Sequence, residues 1–437
     1  MLEMDDLEAV ELFKKVLRFR TVSGEGPTNG QYHACSQFLA GELVKIGFQV
    51  DVIEFVPNKP VVIATLAGTK PHLPSIVLNG HYDVVPAVST KWNQPDPFDP
   101  MEDDEGRIFA RGTQDMKCVV AQYLVALHRL VKRNRQQFRR TLHVTLVPDE
   151  EIGGMDGMNE MIKSGIVKSR MEPIGLALDE GLANPNNEFT VFYGERLPLW
   201  CFITVPGPTG HGSRFIENTA VENLLKISTK AMEFRQEQFN EFTGKGCSHC
   251  QAKKLGDVTT LNITYLQSGV PMREGQQEFE DGEEKVALNC IPTQAKLGLD
   301  IRVPPHVKKE TIENMLTGWV SDFPGASWRY APWTDANGSH ATTSIDPKLN
   351  PFWEVFHRTL ETEFNTKVCP EVFPAGTDSR FLRQHGVPAL GFSPIRNTPI
   401  LLHEHNEYLS KDTFLEGCLV YEKLLTALLQ QLPREEE

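Results

Sequence analysis

Between residues 61 and 178, short β-branched runs alternate with amphipathic helical stretches, and this alternation restricts the fold more than any other feature of the chain. Residues 61–66, 75–78, 141–147 and 174–178 read as strands, with helical periodicity at 115–132 and 158–164 between them. Two helices come earlier. In the first, residues 5–18, Leu7, Val10, Phe13 and Val16 recur at three-residue spacing; the second covers about 31–46 and stops at Gly47. Alternation of this kind predicts an α/β fold built on a doubly wound, mostly parallel sheet.

The texture changes after about residue 195. Strand-like runs at 199–205, 259–266 and 295–302 surround one helix at 218–239 and are followed by another at 309–320. This pattern predicts a smaller α+β domain with an antiparallel sheet, into which polar stretches at 243–254 and 269–284 are inserted as loops. From about 340 the βα texture returns, with a helix at 351–363, a strand at 387–392 and a last helix near 408–429. A length of 437 residues fits such a division. The expected arrangement is one discontinuous α/β domain, residues 1–195 and 336–437, interrupted by a smaller domain at 196–335.

A formal net charge of −14 argues against sequence-independent binding to nucleic acid and against attraction to anionic membrane. No run of 18 apolar residues occurs, and the N-terminus lacks a basic segment followed by an apolar one. Eight cysteines are scattered without a dense framework, as suits a reducing compartment, and the cytosol is the expected location. Gly-x-Ser-x-Gly, His-Glu-x-x-His, Gly-x-Gly-x-x-Gly and the Walker A loop are all absent.

The chemistry gathers at strand ends. The run at 75–79 leads into Gly80-His81-Tyr82-Asp83, and that at 141–147 into Asp149-Glu150-Glu151. The run at 174–178 leads into Asp179-Glu180. Asp115 stands at the start of a predicted helix, and His403-Glu404-His405-Asn406-Glu407 follows the strand at 387–392. Singly, each has an ordinary structural reading: Asp115 as a helix N-cap, Asp149-Glu150-Glu151 as a solvated turn. In an open α/β sheet, however, the carboxyl ends of the strands border one crevice. Carboxylates crowded there repel one another unless a cation neutralises them, so the pattern predicts a metal site.

The stretches GHYDVVP (80–86), ARGTQDMK (110–117), PDEEIGG (148–154), ALDEG (177–181), GHGSRF (210–215), GTDSRF (376–381) and LLHEHNE (401–407) resemble the M20 family of co-catalytic metallopeptidases. Within it they are most similar to members that hydrolyse N-acyl-L-amino acids. The resemblance spans nearly the whole chain, with the motifs in order. It implies two Zn²⁺ per subunit, one held by His81, Asp115 and Glu180 and the other by Asp115, Glu151 and His403, with Asp115 bridging. Two histidines and three carboxylates suit Zn²⁺ and leave positions open. Asp83 would orient His81. Glu150, whose side chain must diverge from that of Glu151, would be the general base. His403 is preferred to His405 because residues 403–407 fit the family's His-x-x-Asn-Glu pattern; Glu180 is chosen over Asp179 on the LDEG match.

In the smaller domain, His211 resembles a histidine that reaches the partner subunit's site and stabilises the oxyanion, which implies a homodimer. Asn289, Arg302 and Arg380 resemble positions that bind the substrate carboxylate, and either arginine could form the bidentate contact. The implied substrate is a small N-acyl amino acid. A dipeptidase or carboxypeptidase with the same metal chemistry is the alternative. An inactive homologue is a third reading, against which the complete ligand set argues. Cys247-Ser248-His249-Cys250 is half of a zinc knuckle without its second half.

Overall fold

Asp5 starts the first helix with a capping box. Its side chain accepts the Glu8 N–H, and the Glu8 carboxylate accepts the Asp5 N–H. The structure is a computed structural model, and it describes residues 4–134, 138–244, 253–271, 286–336 and 338–430. The Cys247–Cys250 motif and the acidic stretch at 276–284 lie outside the described residues.

Along the chain run α1 (Asp6–Leu17), α2 (Gln31–Ile46), β1 (Gln49–Val56), β2 (Lys59–Leu66), β3 (Ser75–His81), α3 (Lys117–Asn134), β4 (Leu142–Val147), β5 (Ile174–Asp179) and β6 (Glu188–Glu195). There follow β7 (Leu197–Pro206), α4 (Ala220–Thr243), β8 (Thr260–Ser268), β9 (Gln294–Val303), α5 (Lys309–Ser321) and β10 (Ser327–Tyr330). The last elements are α6 (Pro351–Phe364), β11 (Lys367–Phe373), β12 (Ala389–Gly391) and α7 (Lys411–Gln430). The chain divides into two compact units, Met1–Gly194 with Ala341–Phe373 and Thr377–Glu437, and Glu195–His340 with Pro374–Gly376.

The first unit holds an eight-stranded sheet in the order β1-β2-β4-β3-β5-β12-β6-β11. Its four central strands, β4, β3, β5 and β12, are parallel. Towards β1 the pairing turns antiparallel, as it does between β12 and β6. Strand residues alternate between two cores because successive side chains point to opposite faces. Val62, Ala64, Ile76, Leu78, Val144 and Leu176 pack with α1, α2, α3, α6 and α7 on one face. Val61, Ile63, Val77, Ala177 and Ala389 pack against Met158, Met161, Val167 and Leu382 on the other. Coverage of both faces explains why these strands read as continuous apolar runs.

Two expectations need correction. Leu7 is exposed, because the first turn of α1 overhangs the core and the buried stripe begins at Ala9 and Val10. Asp115 does not start α3; the helix begins two residues later, at Lys117.

The second unit is a four-stranded antiparallel sheet, β8-β9-β7-β10. Leu224, Ile227 and Ala231 of α4, with Ile312 and Leu316 of α5, pack on its apolar face beside Leu199, Ile203, Leu297 and Leu299. Among the described residues, no helix is long and apolar enough to cross a membrane.

Candidate metal centre

β3 ends at His81, which is almost fully buried. Its Nδ1 lies 3.0 Å from the backbone carbonyl of Asp83 and 3.4 Å from the Asp83 carboxylate. A proton on Nδ1 shared with that carbonyl leaves the Nε2 lone pair facing outward, the tautomer a metal ligand needs. Nε2 lies 3.2 Å from Asp115 Oδ1, 3.4 Å from Glu180 Oε2 and 4.0 Å from Glu150 Oε2.

β4 leads into a tight turn. Asp149 is a non-glycine residue with a left-handed backbone (φ +64°), a conformation that persists only where its surroundings impose it. Here the Tyr32 hydroxyl donates to Asp149 Oδ1 at 2.7 Å, and Lys59 Nζ stands 2.5 Å from Oδ2. The backbone N–H groups of Glu150 and Glu151 then donate to the two oxygens of Asp83, each at 3.2 Å. The Ser23 hydroxyl donates to Asp83 Oδ2 at 2.7 Å. Asp83 thus holds the Glu150-Glu151 backbone with its carboxylate, while its carbonyl faces His81. At Gly154 φ is +62°, and a Cβ would come within 2.2 Å of Asp378 Oδ1, so only glycine lets the turn close.

At the end of β5 the two neighbouring acids separate. Both oxygens of Asp179 are occupied, by Asn79 Nδ2 at 2.9 Å and by the Ser379 hydroxyl at 2.8 Å. Glu180 instead turns towards His81. Asp115 stands between the two histidines, with Oδ1 towards His81 and Oδ2 3.2 Å from His403 Nε2. His403 Nε2 is also 2.9 Å from Glu151 Oε2. Two overlapping clusters result, each with ligand atoms within 4.8 Å of one another: His81, Glu150 and Glu180, and His81, Asp115 and Glu151.

The electrostatics test whether a cation fits. Burial works against a charge on His81, yet Glu180, Asp115 and Asp83 outweigh it and hold the imidazole well above its usual range. Hydrogen bonds to Asp115 and Glu151 push His403 up to about 10. Burial, reinforced by Glu180, holds the Glu150 carboxyl well above its usual range, and burial with Asp115 pushes Glu151 up to about 7. The pocket therefore attracts positive charge and disfavours the charged forms of Glu150, Glu151 and Glu180, the conditions that a divalent cation relieves. Glu151 Oε1 is also buried without a hydrogen-bond partner. Imidazole and carboxylate donors around one space fit a divalent transition metal, and the residues fit the group.

Carboxylates and imidazoles converging at the strand ends of an α/β sheet define a metallohydrolase. The chain belongs to the peptidase family M20/M25/M40, whose model matches residues 77–427. It is accordingly a hydrolase acting on amide bonds, in a family that depends on metal. It is 42% identical to aminoacylase-1 of Dictyostelium discoideum over 430 residues, covering 98% of this chain and 99% of that one. With human aminoacylase-1 it shares 39% identity over 421 residues, covering 96% and 95%. The fold is that of an M20 metallo-carboxypeptidase from Sulfolobus solfataricus, with a TM-score of 0.68, 16% identity and coverage of 97% and 100%. Human carnosine dipeptidase 1 has the same fold, with a TM-score of 0.67, 16% identity and coverage of 98% and 97%.

His81, Asp83, Asp115, Glu150, Glu151, Glu180, His403 and Arg380 all belong to the first unit, and His211, Asn289 and Arg302 to the second. Arg380 donates to the Gly153 carbonyl at 2.6 Å and so supports the Glu150-Glu151 turn from behind. His211 is exposed, opposite Cys290 in a two-residue ladder, with Nδ1 2.8 Å from the Ser213 hydroxyl. The neighbouring Gly212 N–H donates to the Asn289 carbonyl at 2.7 Å. Arg302 is forked onto Asp300 at 2.7 and 3.1 Å. Sequence reasoning passed over Tyr32, Lys59, Arg111, Asp149 and Glu407. Arg111, Asp149 and Glu407 sit inside the quoted motifs, but their hydrogen bonds reach partners that no spacing reveals.

Proposed function

We propose that this enzyme hydrolyses N-acyl-L-amino acids to a carboxylate and a free L-amino acid, with two Zn²⁺ held by His81, Asp115, Glu180, Glu151 and His403. The observation that carries the two-ion reading is Asp115, whose two oxygens face two different histidines. The substrate class rests on the aminoacylase-1 relatives, which match the chain over nearly its whole length. When bound, such ions acidify water and polarise the amide carbonyl. Glu150 takes a proton from the attacking water and delivers it to the departing nitrogen, a transfer suited to a carboxylate that faces the same space as His81 and Glu180. Asp83 keeps Glu150 in place through the backbone, and the Asp149 turn prevents its side chain from following that of Glu151. Asn289, with Arg302 or Arg380, binds the substrate carboxylate.

We further propose that the enzyme is a cytoplasmic homodimer and that the second unit is its dimerisation domain. The described cysteines are free thiols, in keeping with a reducing compartment. Leu225, Met232 and Phe239 recur at seven-residue spacing on α4 and are all exposed; Tyr265 and Leu266 are exposed on the edge strand β8. An apolar helix stripe beside an open edge strand suits a partner presenting the same surfaces. A screen of zinc-loaded protein against N-acetyl amino acids and unblocked dipeptides tests the substrate class. Preferential release of free amino acid from the N-acetyl compounds is expected, and preference for the dipeptides would replace this reading with a peptidase.

A further inference from the structure

Glu407 and Arg111 form an ion pair at 2.8 Å that the proposed chemistry does not use, with Glu407 0% and Arg111 2% exposed. Removing both charges from water is costly, and such a pair persists where further hydrogen bonds surround it. Here those bonds run to the backbone of the loops that carry the ligands. Glu407 Oε1 accepts the N–H groups of Gln114 and Asp115, at 2.5 and 3.4 Å, and Oε2 accepts that of Gly112 at 3.2 Å. Arg111 donates to the carbonyls of Glu404 at 3.2 Å, His403 at 3.4 Å and Pro86 at 3.5 Å. One carboxylate therefore gathers the loop that bears Asp115. Its guanidinium partner gathers the loop that bears His403 and the segment leaving His81 and Asp83.

His403 requires such support. Its backbone is left-handed (φ +64°), as is that of Asn406 (φ +58°), and its side chain is 50% exposed, so packing does not fix it. The bonds of Arg111 to the 403 and 404 carbonyls hold the loop from its buried side. Both Glu407 oxygens are taken by Arg111 and backbone N–H groups, so neither is left to ligate an ion.

We propose that Arg111 and Glu407 are a positioning pair, which sets Asp115 and His403 at the separation that a shared pair of metal ions requires. The proposal rests on the two-ion reading above and concerns metal affinity before any catalysis. The test is a Co²⁺ titration of metal-free, full-length protein, followed by visible absorption, for wild type, Glu407→Gln and Arg111→Lys. Each is read at a temperature where far-UV circular dichroism shows it folded. Wild type should take up two equivalents. Glu407→Gln should bind about 10- to 100-fold more weakly, as loss of a group that orients ligands typically does, with a shifted absorption spectrum. A merely structural pair would lower the thermal midpoint of the metal-free protein but leave Co²⁺ affinity and spectrum unchanged, and that result overturns the proposal. Should Glu407→Gln not fold, Arg111→Lys decides: it keeps the charge opposite Glu407 but cannot reach the 86, 403 and 404 carbonyls together. Failure of the wild type to bind Co²⁺ would overturn the metal reading and the pair's role with it. Unchanged binding by the folded variants overturns the pair alone.

Discussion

Glu150 and Glu151 are adjacent, yet their carboxylates fall into different clusters, one with Glu180 and the other with Asp115. A short turn after the left-handed Asp149, with both N–H groups tied to Asp83, produces this divergence. It follows that like substitutions should have unlike effects. Glu150→Gln should lower kcat by about 10²- to 10⁴-fold, the usual contribution of a general base, while elemental analysis finds wild-type metal content. Glu151→Gln should be recovered depleted of metal. Exchange of these two phenotypes would show that the roles are reversed. Residue identities at the strand ends were legible because the motif order fixes them. The contacts of Asp83 were legible only in part. Its position two residues after His81 suggests an orienting carboxylate, but its carboxylate also receives two backbone N–H groups from a turn 67 and 68 residues away. No local pattern encodes that contact.

Among the elements of the first sheet, reading along the chain finds β2, β3, β4, β5 and β12, because burial on both faces writes them as apolar runs. β1 is missed because it lies at the sheet edge and none of its residues is fully buried. The βα alternation makes the parallel centre of the sheet legible, but its antiparallel flanks appear only in the structure, since a flanking strand's composition does not record which way its neighbour runs. One buried strand carries an ionisable group with a consequence for stability. His143 of β4 is 2% exposed, its Nδ1 lies 3.0 Å from the Thr65 hydroxyl, and burial alone pushes its pKa down to about 4. In the unfolded chain the same imidazole takes up a proton near 6.5. Between these values the unfolded state binds more protons, so this contribution to stability is complete above about 6.5 and falls as the pH drops towards 4. By pH 4.5 the loss should be about 2 to 3 kcal/mol. His143→Gln, which cannot titrate, should therefore lose that much less than wild type when urea unfolding is compared at pH 7 and pH 4.5. Equal losses in both proteins would mean that His143 is solvated or charged in the fold.

At the scale of the whole molecule, the proposed homodimer gives His211 a part in catalysis that mixing of variants tests. The groups proposed to bind and activate water belong to the first unit, whereas the proposed oxyanion donor, His211, belongs to the second. His211 is exposed on a short ladder, with Ser213 bonded to its ring. In a two-fold dimer each chain presents the same surface to the other, so each can lend its histidine to its partner's site. His211→Ala should then bind metal and dimerise as wild type does, with kcat reduced by about 10²- to 10³-fold, the range for loss of one oxyanion donor. Mixing it with Glu150→Gln under conditions of subunit exchange separates the two possibilities. In a mixed dimer, one site combines the intact Glu150 of the first chain with the intact His211 of the second. If the histidine acts across the dimer, that site is whole and activity returns to a substantial fraction of wild type, in proportion to the heterodimers formed. If His211 serves its own chain, every site in the mixture lacks one group and mixing restores nothing. Differently tagged chains, isolated through both tags, show that heterodimers are present, so a lack of recovery would count against action in trans.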